Sequence, residues 1–226
     1  MLNRRKLILA LAPAAVLPTA STTSFAAVNE TKNADFVPSF FSSDEWRFIN
    51  AAVARLIPSD GNGPGGIETG VPEFIDRQME APYGHGAYFY MQGPFHPEAA
   101  PTLGYQLQYA PREIYRVGIA EANKRSLGSS GKSFADLTPD KQDEFLGQME
   151  KGKVSFERIP ASNFFAQLLE NTREGYLADP MYGGNRGMAA WKWIGFPGAR
   201  ADFTDWINRP GSAYPLGPVA IQGTRR

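Results

Sequence analysis

Chemistry at a protein site needs nucleophiles, titratable groups or metal ligands, and this chain of 226 residues is short of the usual ones. It has no cysteine and two histidines, His85 and His96. Without cysteine it forms no disulfide, no thiolate zinc site and no iron–sulfur cluster of its own. A covalent c-type haem is excluded too, because it takes a Cys-x-x-Cys-His segment. Two histidines do not make a multi-histidine metal cage. His85 lies in Tyr83-Gly84-His85-Gly86, and His96 in Gly93-Pro94-Phe95-His96-Pro97. Either is able to act as a general base or a ligand. Their separation of eleven residues, with no acidic cluster between them, favours loop histidines that are hydrogen-bonded locally.

Paired carboxylates are a second route to acid–base chemistry when their environments differ. Glu73 and Asp76, or Asp76 and Glu80, share a helix face at i, i+3 or i, i+4. With Arg77 adjacent, the pattern reads as a solvated helix face. Gly61 to Gly66 resembles a phosphate loop in composition alone. It lacks the Gly-x-Gly-x-x-Gly order after a strand, and it lacks Gly-Lys-Ser/Thr. No Gly-x-Ser-x-Gly elbow occurs. The 23 basic and 23 acidic residues cancel, which argues against a nucleic-acid binder.

The aromatic residues say more. Tyr83, Tyr88, Phe89, Tyr90, Phe95, Tyr105 and Tyr109 crowd into one glycine-rich stretch, and Tyr182, Trp191, Trp193, Phe196 and Trp206 follow near the C-terminus. Uncharged aromatic loops suit a protein–protein interface, where Tyr and Trp act as anchors. They also suit stacking on a sugar, or an irregular aromatic core beneath long loops.

The elements that position these residues are mostly helical. Ser42 and Glu45 form a capping box ahead of Trp46, Ile49, Val53, Leu56 and Ile57 at helical spacing, and Pro58 ends that helix. A short helix is expected from Pro72 to Met79. Residues 81–110 are irregular, and a long loop in a compact domain commonly serves binding. Pro111 opens a helix to about Arg125, with Gly128 to Lys132 as a turn. Thr138 caps another helix with Pro139 inside it, and Ser162 to Glu174 forms a further one. Asp179 to Gly187 is a turn-rich loop, and short helical turns are expected at Ala189 to Ile194 and Ala201 to Ile207. No series of alternating strands appears. The fold class is mainly α: an irregular helical domain with long Gly/Pro/aromatic-rich loops.

The first 26 residues read as an address. Arg4, Arg5 and Lys6 precede an apolar run from Leu7 to Leu17, and Ser24-Phe25-Ala26 is a cleavage site, with the cut after Ala26. The run is too short for a bilayer core of roughly 30 Å, and Pro13 and Pro18 interrupt it. Adjacent arginines point to the twin-arginine translocase, which exports folded proteins. Removal of this leader leaves 20 basic and 23 acidic residues, a net charge of −3. Residues 27–41 read as an extended, mobile arm, and 42–226 as a single helical domain. No later stretch is long and apolar enough to span a membrane.

Taken together, several segments resemble a known family. They are Phe41-Ser42-Ser43-Asp44-Glu45-Trp46, Ala51-Ala52-Val53-Ala54-Arg55-Leu56-Ile57-Pro58, Gly70-Val71-Pro72-Glu73-Phe74-Ile75-Asp76-Arg77-Gln78 and Tyr90-Met91-Gln92-Gly93-Pro94-Phe95. The sharpest are Asp179-Pro180-Met181-Tyr182-Gly183-Gly184-Asn185-Arg186 and Trp191-Lys192-Trp193-Ile194-Gly195-Phe196-Pro197-Gly198. With the leader, they make the chain similar to the small subunit (subunit 3, or gamma) of membrane-bound gluconate 2-dehydrogenase and related flavin–cytochrome sugar dehydrogenases.

That resemblance implies a non-catalytic subunit of an oxidoreductase complex, with no cofactor, metal or catalytic residue in this chain. FAD belongs to a large dehydrogenase subunit, and haem c to a multi-haem cytochrome subunit. The small subunit supports maturation and twin-arginine export of the flavin subunit. The complex is periplasmic and peripheral to the inner membrane, which this chain reaches only through partners. Interface candidates are Tyr90, Phe95, Tyr182, Asn185, Trp191 and Phe196, with Gly183 and Gly184 allowing positive φ or close approach. A related fructose, sorbitol or glucose dehydrogenase, a periplasmic carbohydrate-binding module, a stand-alone enzyme and a transient export escort remain as alternatives.

Overall fold

A computed structural model describes residues 36–97, 99–103 and 105–223. Among them are six α-helices and no strand: α1 (Ser43–Leu56), α2 (Val71–Glu80), α3 (Pro111–Ser130), α4 (Pro139–Glu150), α5 (Ala161–Leu177) and α6 (Ala189–Ile194). The chain is mainly α, as its sequence pattern predicts. The leader and residues 27–35 of the arm lie outside the described residues.

The capping box forms as expected. Ser42 N–H donates to Glu45 Oε2 at 2.8 Å, and Ser42 Oγ accepts from Glu45 N–H at 3.4 Å. Two orphan amides at the start of α1 are thus satisfied. Thr138 stands at the N-cap of α4 but makes no side-chain cap bond. The end of α3 differs from expectation. The helix continues through Gly128 to Ser130, and Gly131, at φ 70°, stops it. Gly128 faces open space, so its lack of a side chain weakens the helix without breaking it. Ser130 Oγ bonds back to the Ser126 carbonyl at 2.7 Å.

Helix α5 is the hub and touches each of the other five helices. One tight contact is with α3, where Gly118 meets the Phe164 ring; a Cβ at Gly118 would stand 2.3 Å from that ring. The core runs as a chain of aromatic contacts. Phe134 and Phe48 are 4.6 Å apart, Phe48 and Phe164 5.9 Å, Phe164 and Tyr115 5.9 Å, and Tyr115 and Phe41 5.6 Å between ring centroids. Ile49, Val53, Ile75, Met79, Ile114, Ile119, Met149 and Leu168 fill the space around it. Helices α1 to α5 and a short 3-10 turn (Phe134–Asp136) share this apolar mass, and burial of that kind supplies most of the helical stability.

Two readings of the sequence are corrected here. Glu73 and Asp76 do not lie on a solvated face; both are buried. The inner end of the arm is not mobile either. Phe40 and Phe41 are in the core, and Asp76 holds the backbone that leads to them. Asp76 Oδ1 accepts the amides of Phe40 and Phe41, each at 3.0 Å, while Oδ2 accepts Ser39 N–H at 2.8 Å and Ser39 Oγ–H at 2.9 Å. Glu73 pairs with Arg186. A helix-face count sees two acids at i, i+3; it does not see the segments that close over them.

Candidate functional site

The sharpest motif folds into a rigid corner after α5. Asp179 caps a 3-10 turn (Pro180–Tyr182), its Oδ1 accepting Met181 N–H at 3.1 Å. Its Oδ2 accepts Ile221 N–H at 2.7 Å and so fastens the C-terminal segment to the corner. Asn185 is fully buried. Its Nδ2 donates to the Ala178 carbonyl at 3.0 Å, and its Oδ1 accepts Ala190 N–H at 3.0 Å. Asn185 also sits at φ 43°, a left-handed conformation that Asn tolerates better than most residues. Gly184 packs so tightly on α5 that a Cβ would stand 2.0 Å from the Gly175 carbonyl oxygen. Trp191 is buried against Met188 and Ala220, and its Nε1–H donates to the Leu177 carbonyl at 2.8 Å.

The structure therefore divides the interface candidates. Gly184, Asn185 and Trp191 do not face outward; their contacts and hydrogen bonds are internal. The close approach at Gly184 is to this chain's own helix. Gly183 does take a positive φ, at 102°. Tyr182, 49% exposed, and Phe196, 45% exposed, lie at the surface of the corner. Phe196 stacks edge-on against Trp191 at 5.1 Å. Trp193, 55% exposed, lays its ring beside Gly63 of the loop after α1. Leu177, Met181 and Ile194 are also exposed on these elements. The outcome is an apolar edge on a framework fixed by Asp179, Asn185 and Trp191. Single exposed apolar residues need no explanation, but several large ones on neighbouring elements of one corner are less usual.

In the long loop Tyr90 is exposed and Phe95 half-buried. Tyr88 is exposed as well, while three other aromatics turn inward. Phe89 lies 4.6 Å from Tyr105 and 5.9 Å from Tyr83, centroid to centroid. This three-ring wall faces α3 and α5 across a cleft of about 380 Å³. The opposite wall carries Asn163, Gln167, Glu170 and Glu174 of α5. Beneath it runs a polar relay. The buried Tyr115 hydroxyl donates to Asn171 Oδ1 at 3.0 Å; Asn171 Nδ2 then donates to Tyr83 Oη at 3.0 Å and to Glu174 Oε2 at 2.9 Å.

Burial pushes the Tyr83 and Tyr105 phenols above their ordinary range, so both keep their protons at physiological pH. The Glu174 residue is exposed, but its carboxyl is partly withdrawn from water. That desolvation raises its pKa, the Asn171 bond opposes the rise, and the nearby Glu170 charge adds to it. The sequence singled out the aromatic loop as suited to binding, but not the α5 wall that faces it. The spacing of 163, 167, 170 and 174 on one stripe of α5 was the available signal.

The histidines lie at the surface. His85 contacts Arg112, with Nδ1 at 3.1 Å from Nη1, and Arg112 in turn reaches Glu80 at 3.6 Å. Among the described residues no group of three or more His, Asp or Glu side chains is placed to hold a metal ion. No helix among them is long and apolar enough to cross a membrane.

The described residues thus define a helical protein with an aromatic-walled cleft and an exposed apolar edge on a rigid corner. Residues 43–198, more than two thirds of the chain, match the model of the family described as gluconate 2-dehydrogenase subunit 3. The chain belongs to that family, whose description makes it a subunit of an oxidoreductase. No curated protein and no solved structure matches it significantly.

Proposed function

We propose that this chain is the non-catalytic small subunit of a membrane-bound, FAD-dependent gluconate 2-dehydrogenase-type complex. It docks on the flavin-bearing large subunit through the apolar edge of Tyr182, Trp193 and Phe196, and it supports that subunit's maturation and export. The observation that carries the docking reading is the edge itself: large apolar side chains held outward on a corner that hydrogen bonds make rigid. Rigid anchors lose little entropy on association. Oxidation of the sugar acid takes place in the large subunit, and a multi-haem cytochrome c subunit carries the electrons onward. The adjacent Arg4 and Arg5 suit a route that tolerates folded, FAD-loaded cargo. On this reading the complex lies in the periplasm, at the inner membrane through its partners.

Purification from the native host's membranes through a C-terminal tag tests this reading. Flavin and c-haem absorption together with two larger chains on a gel is the expected result. A single colourless chain after mild extraction overturns it. Dye reduction by gluconate, compared with fructose, sorbitol and glucose, then distinguishes the gluconate enzyme from a related sugar or polyol dehydrogenase.

A further inference from the structure

The cleft between the aromatic loop and α5 is separate from the docking edge, and its lining has a definite character. Its volume of about 380 Å³ lies in the range of small-ligand sites. One wall is the stack of Tyr83, Phe89 and Tyr105. The other carries Glu170 and Glu174, one helical turn apart, and among the described residues the lining contains no lysine or arginine. Like charges at i, i+4 on a helix repel each other. No hydrogen bond or ion pair with a described residue holds the Glu170 carboxylate, and the Asn163 side chain makes no hydrogen bond there either. Two neighbouring carboxylates, an idle amide and a ring wall are the parts that recognise an organic cation. Carboxylates accept its N–H groups in charge-assisted bonds, and ring faces attract its charge. The same lining repels an anion such as gluconate.

We propose that this cleft binds an organic cation, a guanidinium or ammonium head on an apolar stem. The head sits between Glu170 and Glu174, and the stem lies along Phe89 and Tyr105. Asn163 supplies one more acceptor. A free amine and a basic side chain of another polypeptide share this chemistry.

The test uses the full chain, at fixed ionic strength so that screening is constant. Aromatic-ring NMR shifts are followed during titration with butylguanidinium, butylammonium, butyrate, gluconate and glucose. Saturable shifts of the Tyr83, Phe89 and Tyr105 rings with the two cations, and none with butyrate or gluconate, are expected. Glu170 bonds no other described residue through its carboxylate, and Glu170→Gln weakens the cations about tenfold. The double variant E170Q/E174Q abolishes the shifts, and circular dichroism checks that it is folded. The blocked peptide acetyl-Ala-Arg-Ala-amide separates the two sources: tighter binding than butylguanidinium assigns a polypeptide, weaker binding a free amine. Absence of saturation with either cation overturns the proposal. So does equal or tighter binding of glucose or gluconate, or unchanged cation affinity in folded E170Q. None of these readouts depends on the large subunit, so failure here leaves the docking reading standing, and the reverse also holds.

Discussion

Asp76 Oδ1 accepts the main-chain amide of Phe41 at 3.0 Å, across 35 positions of sequence. That bond joins the middle of α2 to the residue that enters the core just before α1. The same carboxylate accepts three further donors. Asp76→Ala leaves buried amides at Phe40 and Phe41 without acceptors and is expected to cost about 3 kcal/mol or more. Asp76→Asn keeps one good acceptor and costs less. Denaturant unfolding of the two variants gives the ranking; equal stability of D76A and the parent would contradict this role for the carboxylate.

Glycine positions of similar appearance are expected to respond oppositely to alanine. At Gly184 a Cβ collides with the backbone of Gly175, which has no flexible end to move. Gly184→Ala therefore leaves little folded, soluble protein. At Gly128 nothing lies within 4 Å and the residue is inside α3. Gly128→Ala is expected to stabilise the chain by about 0.5–1 kcal/mol. Thermal melts of the soluble fractions measure both effects.

The outward aromatics are predicted to matter for assembly and little for folding. Tyr182→Ser and Phe196→Ser remove exposed side chains whose neighbours are fixed by other bonds. Interface anchors of this kind contribute about 2 kcal/mol or more, roughly a thirtyfold change in affinity. Recovery of the large subunit with the tagged small subunit is expected to fall, with the helical spectrum unchanged. Trp191→Ala is expected to unfold the corner instead, because its ring and Nε1–H act inside the chain.

The Glu174 carboxyl has a pH signature. Its pKa in the folded chain is raised, chiefly by burial. A raised acid binds its proton more tightly in the folded state than in the unfolded one. Its effect on stability is therefore most favourable below the ordinary glutamate range and is lost as pH rises through the folded value. In Glu174→Gln this part of the decline is absent. Comparing unfolding midpoints of E174Q and the parent from about pH 4 to pH 7 reveals it, and parallel curves would show that Glu174 does not contribute.

The helices were legible because their signals are local. The Ser42–Glu45 box, the prolines at the starts of α2, α3 and α4, and the apolar spacing of α1 and α5 each act within a turn or two. The motif from Asp179 to Phe196 was legible as a motif, and it carried the family. Which of its residues point outward was not. Trp191 and Trp193 are two apart and chemically identical, yet one is buried and the other exposed. Their difference comes from Leu177, Met188 and Ala220 closing on the first, and those contacts cross 3 to 29 positions of sequence.

The same reason governs the acids. Sequence alone determined that α2 carries Glu73 and Asp76 on one side, and that the chain has no cysteine and two histidines. Tertiary structure decided that Asp76 is an internal anchor for the segment before α1, that Glu73 meets Arg186, and that Glu170 and Glu174 border a cleft. Periodicity specifies the face of a helix on which a side chain stands. What covers that face depends on segments tens of residues away, and burial and hydrogen bonding, which follow from the covering, decide what the side chain does.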